Sequence, residues 1–288
     1  MDANKGPHAL ALLLLVAGIA AIGLFIPNDA RVFGWLLVML FMLLFIVIAS
    51  HLITGQWSGA LIDERNKVSL SRFQLFVWMI IGLSGFLIAV LANLHNNVGD
   101  DDLCRQAAQE ALEESILCDP LAVAVPEELW VLMGISVTSL VAAPLLRSSK
   151  YQGTPESTQE QRTMETLKAR GEVTMILDSV GGTQGTTDSA KTEGLVVVNS
   201  LPQIARWTDI FKGEEAGNAA SLDAGKIQMF FFTIILALTY SLTLADLLRD
   251  NSVIHSLPAF TEGALALLGI SHAGYLTNKA IPHSQTQT

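Results

Sequence analysis

The chain has 288 residues, of which 51% are hydrophobic and only 15% charged, with a formal net charge of −10. Globular proteins usually carry about 25% charged residues, so this composition argues against one large water-soluble domain. With 17 Lys and Arg against 27 Asp and Glu, and no basic stripe, it also excludes nucleic-acid binding, which needs cations arrayed along phosphates.

Residues 9–27 and 32–50 are the first of four runs that contain no Asp, Glu, Lys or Arg; the others are 73–92 and 227–245. About 20 apolar residues at a rise of 1.5 Å cover the roughly 30 Å hydrocarbon core of a bilayer. Soluble helices alternate apolar and polar faces, and these runs do not. The first run is preceded by a single Lys5, is long for a secretory signal, and no small-x-small cleavage site follows it, so a retained helix is expected. Residues 1–56 read as a transmembrane hairpin. Two weaker runs follow the same logic: 129–146, with Pro144 near its end, and 263–278, with His272 inside it. The resulting expectation is an all-α polytopic membrane protein with six transmembrane helices.

Lys and Arg orient it. With the N-terminus inside, only Arg31, Arg105 and Arg249 fall in outside segments, and the other fourteen fall inside, as the positive-inside rule demands. Both chain ends are then expected on the cytoplasmic face of a cell membrane. The outside segment 95–128 carries nine Asp and Glu against Arg105 and holds both cysteines, Cys104 and Cys118. An oxidising location permits a disulfide. Residues 105–117 have helix-forming composition, however, and one unbroken helix would set the two Cα atoms about 21 Å apart, whereas a bridge needs about 7 Å or less. Either the helix breaks near Glu113 or the two thiols do not pair.

The chain also echoes itself. Residues 68–76 (VSLSRFQLF) precede and enter the third run, as 222–230 (LDAGKIQMF) do the run starting at Ile227. Upstream, Trp57, Leu61 and Asp63-Glu64 match Trp207, Phe211 and Glu214-Glu215. Downstream, 132–136 (LMGIS) matches 267–271 (LLGIS). Ser69 and Asp223 are placed to cap helices. Arg72 and Lys226 are placed to reach headgroups, with Gln74 and Gln228 one turn further in. Gly134, Ser136, Gly269 and Ser271 are small residues suited to close helix packing, within the chain or between subunits. The echo predicts two parallel two-helix units, 57–147 and 226–288, related by an axis along the membrane normal.

Residues 148–225 form the one sizeable polar segment, read as a partly flexible cytoplasmic insert. A helix is expected over 158–170, and a two-stranded element from 172–178 and 194–199 with a mobile tip between. So few apolar groups cannot make a core alone, so the segment must lean on the membrane or a partner. Residues 207–215 read as an interfacial helix. The Gly-rich 181–187 lacks the Lys and spacing of a phosphate loop.

Chemistry is sparse. His272 is the ionisable group well inside a run, and its match in the first unit is Val137. Glu127, Glu128 and Glu262 stand at outer helix ends, where an oligomer would make them an acidic, cation-favouring rim and where a helix N-terminus stabilises carboxylates in any case. No catalytic triad, zinc spacing or paired intramembrane carboxylates occur, so no enzyme, metal or cofactor is expected. Two functions remain. One is a passive oligomeric channel or pore. The other is a non-enzymatic scaffold or signalling subunit whose cytoplasmic arm binds a protein partner. The lipid bilayer is the partner common to both.

Overall fold

The computed structural model describes residues 5–25, 27–95, 119–172, 175–176, 189–250 and 253–284. Cys104, Cys118, the 105–117 segment and the Gly-rich 181–187 lie outside them. Among the described residues are seven α-helices: α1 (Lys5–Phe25), α2 (Arg31–Thr54), α3 (Leu70–His95), α4 (Glu127–Ser148), α5 (Ser157–Ala169), α6 (Ala224–Arg249) and α7 (Glu262–Ala280). Five of them, α1, α2, α3, α4 and α6, are long and apolar enough to cross a membrane, the mark of an integral membrane protein. Pro144 sits inside α4 without ending it. The 19-residue α7 is set apart from those five by Glu262, His272, Asn278 and Lys279.

The chain divides into two compact units, to both of which α3, α4, α6 and α7 contribute residues. The first comprises Met1–Leu52, Phe76–Met133 and Ile234–Leu265. Its interior is apolar, with Trp35, Val38, Trp78, Ile81, Ile88, Ala89, Leu244 and Leu248 buried. The close approach of α3 to α6 depends on Gly85, where a Cβ would stand 2.6 Å from Leu244 Cδ2. Its buried polar side chains are few, and several are paired within the unit. Trp35 Nε1 donates to Ser84 Oγ at 2.9 Å. Arg31 donates to the Asp250 carbonyl at 2.9 Å. Asn93 acts as a short piece of strand, donating to the Ile254 carbonyl and accepting from the Ile254 N–H, both at 2.8 Å. Next to that contact Ala124 pairs in parallel with Ser256. Phe260 stacks on Tyr240 at 4.9 Å and meets Trp78 edge-on at 5.8 Å.

The second unit comprises Ile53–Leu75, Gly134–Thr233 and Ala266–Thr288. It holds α5 and a three-stranded sheet of β1 (Met175–Ile176), β2 (Ser189–Glu193) and β3 (Val196–Asn199), in the order β1-β2-β3. The strand pairing differs from the expected one. β3 pairs antiparallel with β2, which falls in the stretch read as flexible, while β1 lies parallel on the far side of β2. The reason is local: Gly194, at φ 58°, takes the first central position of a two-residue turn joining Glu193 to Val196, the glycine requirement of a type II′ hairpin. The segment does lean on other elements, but they belong to its own chain. Ile210 packs with Val68, Leu70, Met229 and Tyr275 at the helix ends. Contrary to the expectation that it could make no core alone, the segment also has a small one, in which Met164 and Leu167 of α5 pack on Ala190, Val197 and Ala219.

The approaches to α3 and α6 share a sequence of local bonds. Before α3, a 3-10 turn (Gly59–Leu61) leads to an Ile62–Val68 bridge, and the Ser69 N–H returns to the Leu61 carbonyl at 2.8 Å. Before α6, a 3-10 turn (Trp207–Phe211) leads to a Lys212–Leu222 bridge, and the Asp223 N–H returns to the Phe211 carbonyl at 2.8 Å. Residues 207–215 are thus a turn and a bridge rather than one surface helix. Trp207 is exposed, but Ile210 is buried.

Candidate functional site

Between the Ile62–Val68 bridge partners the chain reads Asp63-Glu64-Arg65-Asn66-Lys67, and its turn is built by its own side chains. Asp63 Oδ1 accepts the Arg65 N–H at 3.0 Å, and the Asp63 N–H donates to the Lys67 carbonyl at 2.9 Å. Asn66 sits at φ 56°, a region Asn tolerates better than other side chains. There its amide donates to the Asn199 carbonyl at 2.8 Å and its carbonyl accepts the Asn199 amide at 2.9 Å. That reciprocal pair fastens the turn to the end of β3.

The turn presents its charges to the ends of three helices. Arg65 grips Asp63 Oδ2 through Nε at 2.9 Å and a terminal nitrogen at 2.7 Å. Arg147, in the last turn of α4, donates to the same oxygen at 3.1 Å and also pairs with Glu64. Glu214 is the hub: Lys279 of α7 reaches its carboxylate at 2.8 Å, Lys226 of α6 at 3.0 Å, and Arg65 and Arg147 at 3.4 Å. Its neighbour Glu215 takes the Lys150 ammonium and the backbone N–H groups of His283, at 2.8 Å, and Ser284, at 3.0 Å. Apart from Glu64, whose side chain is 43% exposed, this is a buried set of charges. Burial of such ions costs several kcal/mol each, which only close pairing can repay.

Electrostatics follow from that pairing. Burial would raise the Glu214 carboxyl, but Arg65, Lys226, Lys279 and Arg147 outweigh it and hold the group well below the usual carboxylate range. Burial likewise opposes ionisation of Asp63, and Arg65 and Arg147 overcome it, so its pKa also lies below normal. For Arg65, burial is overcome by Asp63 and Glu214, and its pKa is raised. Lys67 is the exception. Burial pushes its ammonium down to about 8, and Asp209 offsets only part of the cost beside the cationic Arg65, Lys212 and Lys226.

A second polar group lies among the helices of this unit. Gln74 Nε2 donates to Thr233 Oγ1 at 2.6 Å and lies 3.5 Å from His272 Nε2, and His272 Nδ1 lies 2.6 Å from Ser139 Oγ. All four side chains are buried. Gln74 Oε1 and the hydroxyls of Ser71 and Ser271 are buried with no hydrogen-bond partner among the described residues.

The other residues singled out from sequence fall as follows. Gln228 is exposed where Gln74 is buried, so the two echoed glutamines meet different surroundings. Lys226 turns into the ion cluster rather than toward solvent, while half-buried Arg72 reaches the Ala60 carbonyl at 3.5 Å. Asp223 Oδ1 caps α6 by accepting the Lys226 N–H at 3.1 Å. Ser136 and Ser271 are buried, but Gly134 and Gly269 have no atom within 4 Å of where a Cβ would stand. Glu127 and Glu262 are exposed and Glu128 half-buried, in the first turns of α4 and α7. Asp63, Arg65, Arg147, Lys150 and Lys279 were legible only as charges at run ends. The available signal was that acidic and basic residues alternate at those ends in similar numbers, which favours mutual pairing over a one-sign surface.

No protein-family model matches this chain, and neither a characterised protein nor a solved structure matches it.

Proposed function

We propose that this chain is a non-enzymatic membrane scaffold or signalling subunit that carries residues 148–225 as a cytoplasmic platform for a protein partner. In this reading α7 is the sixth crossing, both chain ends are cytoplasmic, and the two-helix units are a parallel duplication. The matching turn, bridge and return bond before α3 and α6 supports the duplication.

The observation that carries the reading is the ion cluster. Glu214 of the insert is tied to Arg147, Lys226 and Lys279 at three helix ends, and Glu215 to Lys150 and to the backbone of His283 and Ser284. A platform locked in this way transmits force or position between membrane helices and a docked partner, because packed and ion-paired elements move together. A pore would need a polar lining. The buried interior of the first unit offers Arg31, Ser50, Ser84 and Asn93 as its polar side chains among the described residues, and no carboxylate. A passive channel would need its path outside this interior, for instance between subunits along faces such as those bearing Gly134 and Gly269.

Crosslinking in intact membranes, with a photoreactive residue at exposed Glu165 of α5, tests the proposal. A discrete protein adduct that disappears when exposed Gln161, Arg162 and Lys168 of the same helix are changed to Glu, the probe staying at 165, is the expected result. Reproducible single-channel conductance from the purified protein, with no adduct, would overturn it in favour of the pore.

A further inference from the structure

We propose that a cavity beside Glu214 and Glu215 binds a single halide-sized anion. The cavity measures about 20 Å³, room for one guest the size of a water molecule and too little for a tetrahedral oxyanion. It is lined by Arg147, Lys150, Lys226 and Lys279 against the carboxylates of Glu214, Glu215 and Asp223. Four cations of the lining face three carboxylates, and Arg147 also pairs with Asp63 and Glu64 outside it, so an anion would be held by donors left over rather than by excess charge.

The hydrogen-bond inventory points the same way. The Arg147 side chain is 3% exposed, and its Nε–H is buried without an acceptor among the described residues. Lys226 has three N–H donors and two acceptors, the Lys212 carbonyl and Glu214. Lys279 likewise has two, Glu214 and the Tyr275 hydroxyl. Tyr275, which also lines the cavity, accepts from Lys279, and its own O–H has no acceptor among the described residues. Four side chains around one small space therefore carry a donor to spare. A water molecule would accept from only two of them and bring two donors of its own, which Glu214, Glu215, Asp223 or Asn278 of the lining would have to take. Asp223 already accepts from Lys226 through Oδ1. A halide accepts from all four and donates nothing. An uncompensated buried N–H or ammonium is costly, and the anion removes that cost.

The test uses the full-length protein in detergent. Its unfolding midpoint is followed while sodium chloride or bromide replaces sodium gluconate at fixed ionic strength, with sodium sulfate as a further arm. The expected result is a saturable rise with chloride and bromide and none with gluconate or sulfate. Tyr275→Phe, which removes one donor and no charge, is expected to raise the half-saturating bromide concentration roughly tenfold, the equivalent of one charge-assisted hydrogen bond. If that variant does not fold, the wild-type protein crystallised in bromide decides the matter through an anomalous peak among Arg147, Lys226 and Lys279. A rise common to all salts without saturation, or a bromide crystal with an empty cavity, would overturn the proposal.

Discussion

Glu214→Gln isolates the energetics of the ion cluster, because it keeps the size of the side chain and removes its charge. Four cations approach this one carboxylate, at 2.8 Å (Lys279), 3.0 Å (Lys226) and 3.4 Å (Arg65 and Arg147). Arg65 and Arg147 keep Asp63, but Lys226 and Lys279 lose their sole carboxylate partner among the described residues. Breaking a buried pair from one side costs about 3–5 kcal/mol, since the remaining charge stays buried. For a chain of 288 residues that corresponds to a fall of roughly 5–8 °C in the unfolding midpoint. The assay is tryptophan fluorescence during heating of the detergent-solubilised protein, with limited trypsin digestion run alongside to ask whether the insert is cut before the helices. The pH dependence gives a second signature. The folded-state pKa of Glu214 is depressed, so its contribution is complete above the ordinary value of 4.5 and is lost as pH falls below it toward the folded value. The gap between variant and wild type should therefore close as pH drops below 4.5. A midpoint within about 2 °C of wild type at pH 7, well under the shift expected for a broken buried pair, would refute the account of Glu214 as the hub.

Two further outcomes are expected. Lys67 keeps its proton in the unfolded chain up to about pH 10.5 but loses it near pH 8 when folded, so wild-type stability should rise with pH across that window. Lys67→Met should gain up to about 3 kcal/mol at pH 7, and the gain should shrink toward pH 10.5; a wild-type midpoint that falls from pH 8 to pH 10 would contradict this. At Asn66, with φ 56°, Asn66→Gly should cost about 1 kcal/mol for the lost hydrogen bond, and Asn66→Ala about 2 kcal/mol because a Cβ without local hydrogen bonding strains that backbone. The order of unfolding midpoints, wild type above Gly above Ala, checks the claim, and an Ala variant as stable as the Gly variant would contradict it.

What could be read from the sequence was what depends on solvent and on neighbours in the chain. Charge-free runs near 20 residues identify helices suited to lipid, because a backbone in hydrocarbon must satisfy itself. The helix expected over 158–170 lies at Ser157–Ala169 for a similar reason: its signals are local. The β-pairing was not legible in the same way. The valine run of β3 was visible, but its partner β2 lies in the polar stretch ending at Glu193, whose composition resembles a loop, and the turn between them takes Gly194 from the start of the run read as strand.

The ion cluster marks the limit most clearly. The Asp63–Arg65 turn, Arg147, Glu214 and Lys279 are far apart in sequence, and along the chain each looks like a solvated charge at a helix end. Folding alone makes them neighbours, and only neighbours decide whether a charge is a topology signal facing water or one member of a buried pair. Solvent preference is written residue by residue, so sequence alone determined the apolar helices. Pairing energy depends on distance in space, so the tertiary structure decided the cluster, the cavity beside it and the separate surroundings of Gln74 and Gln228.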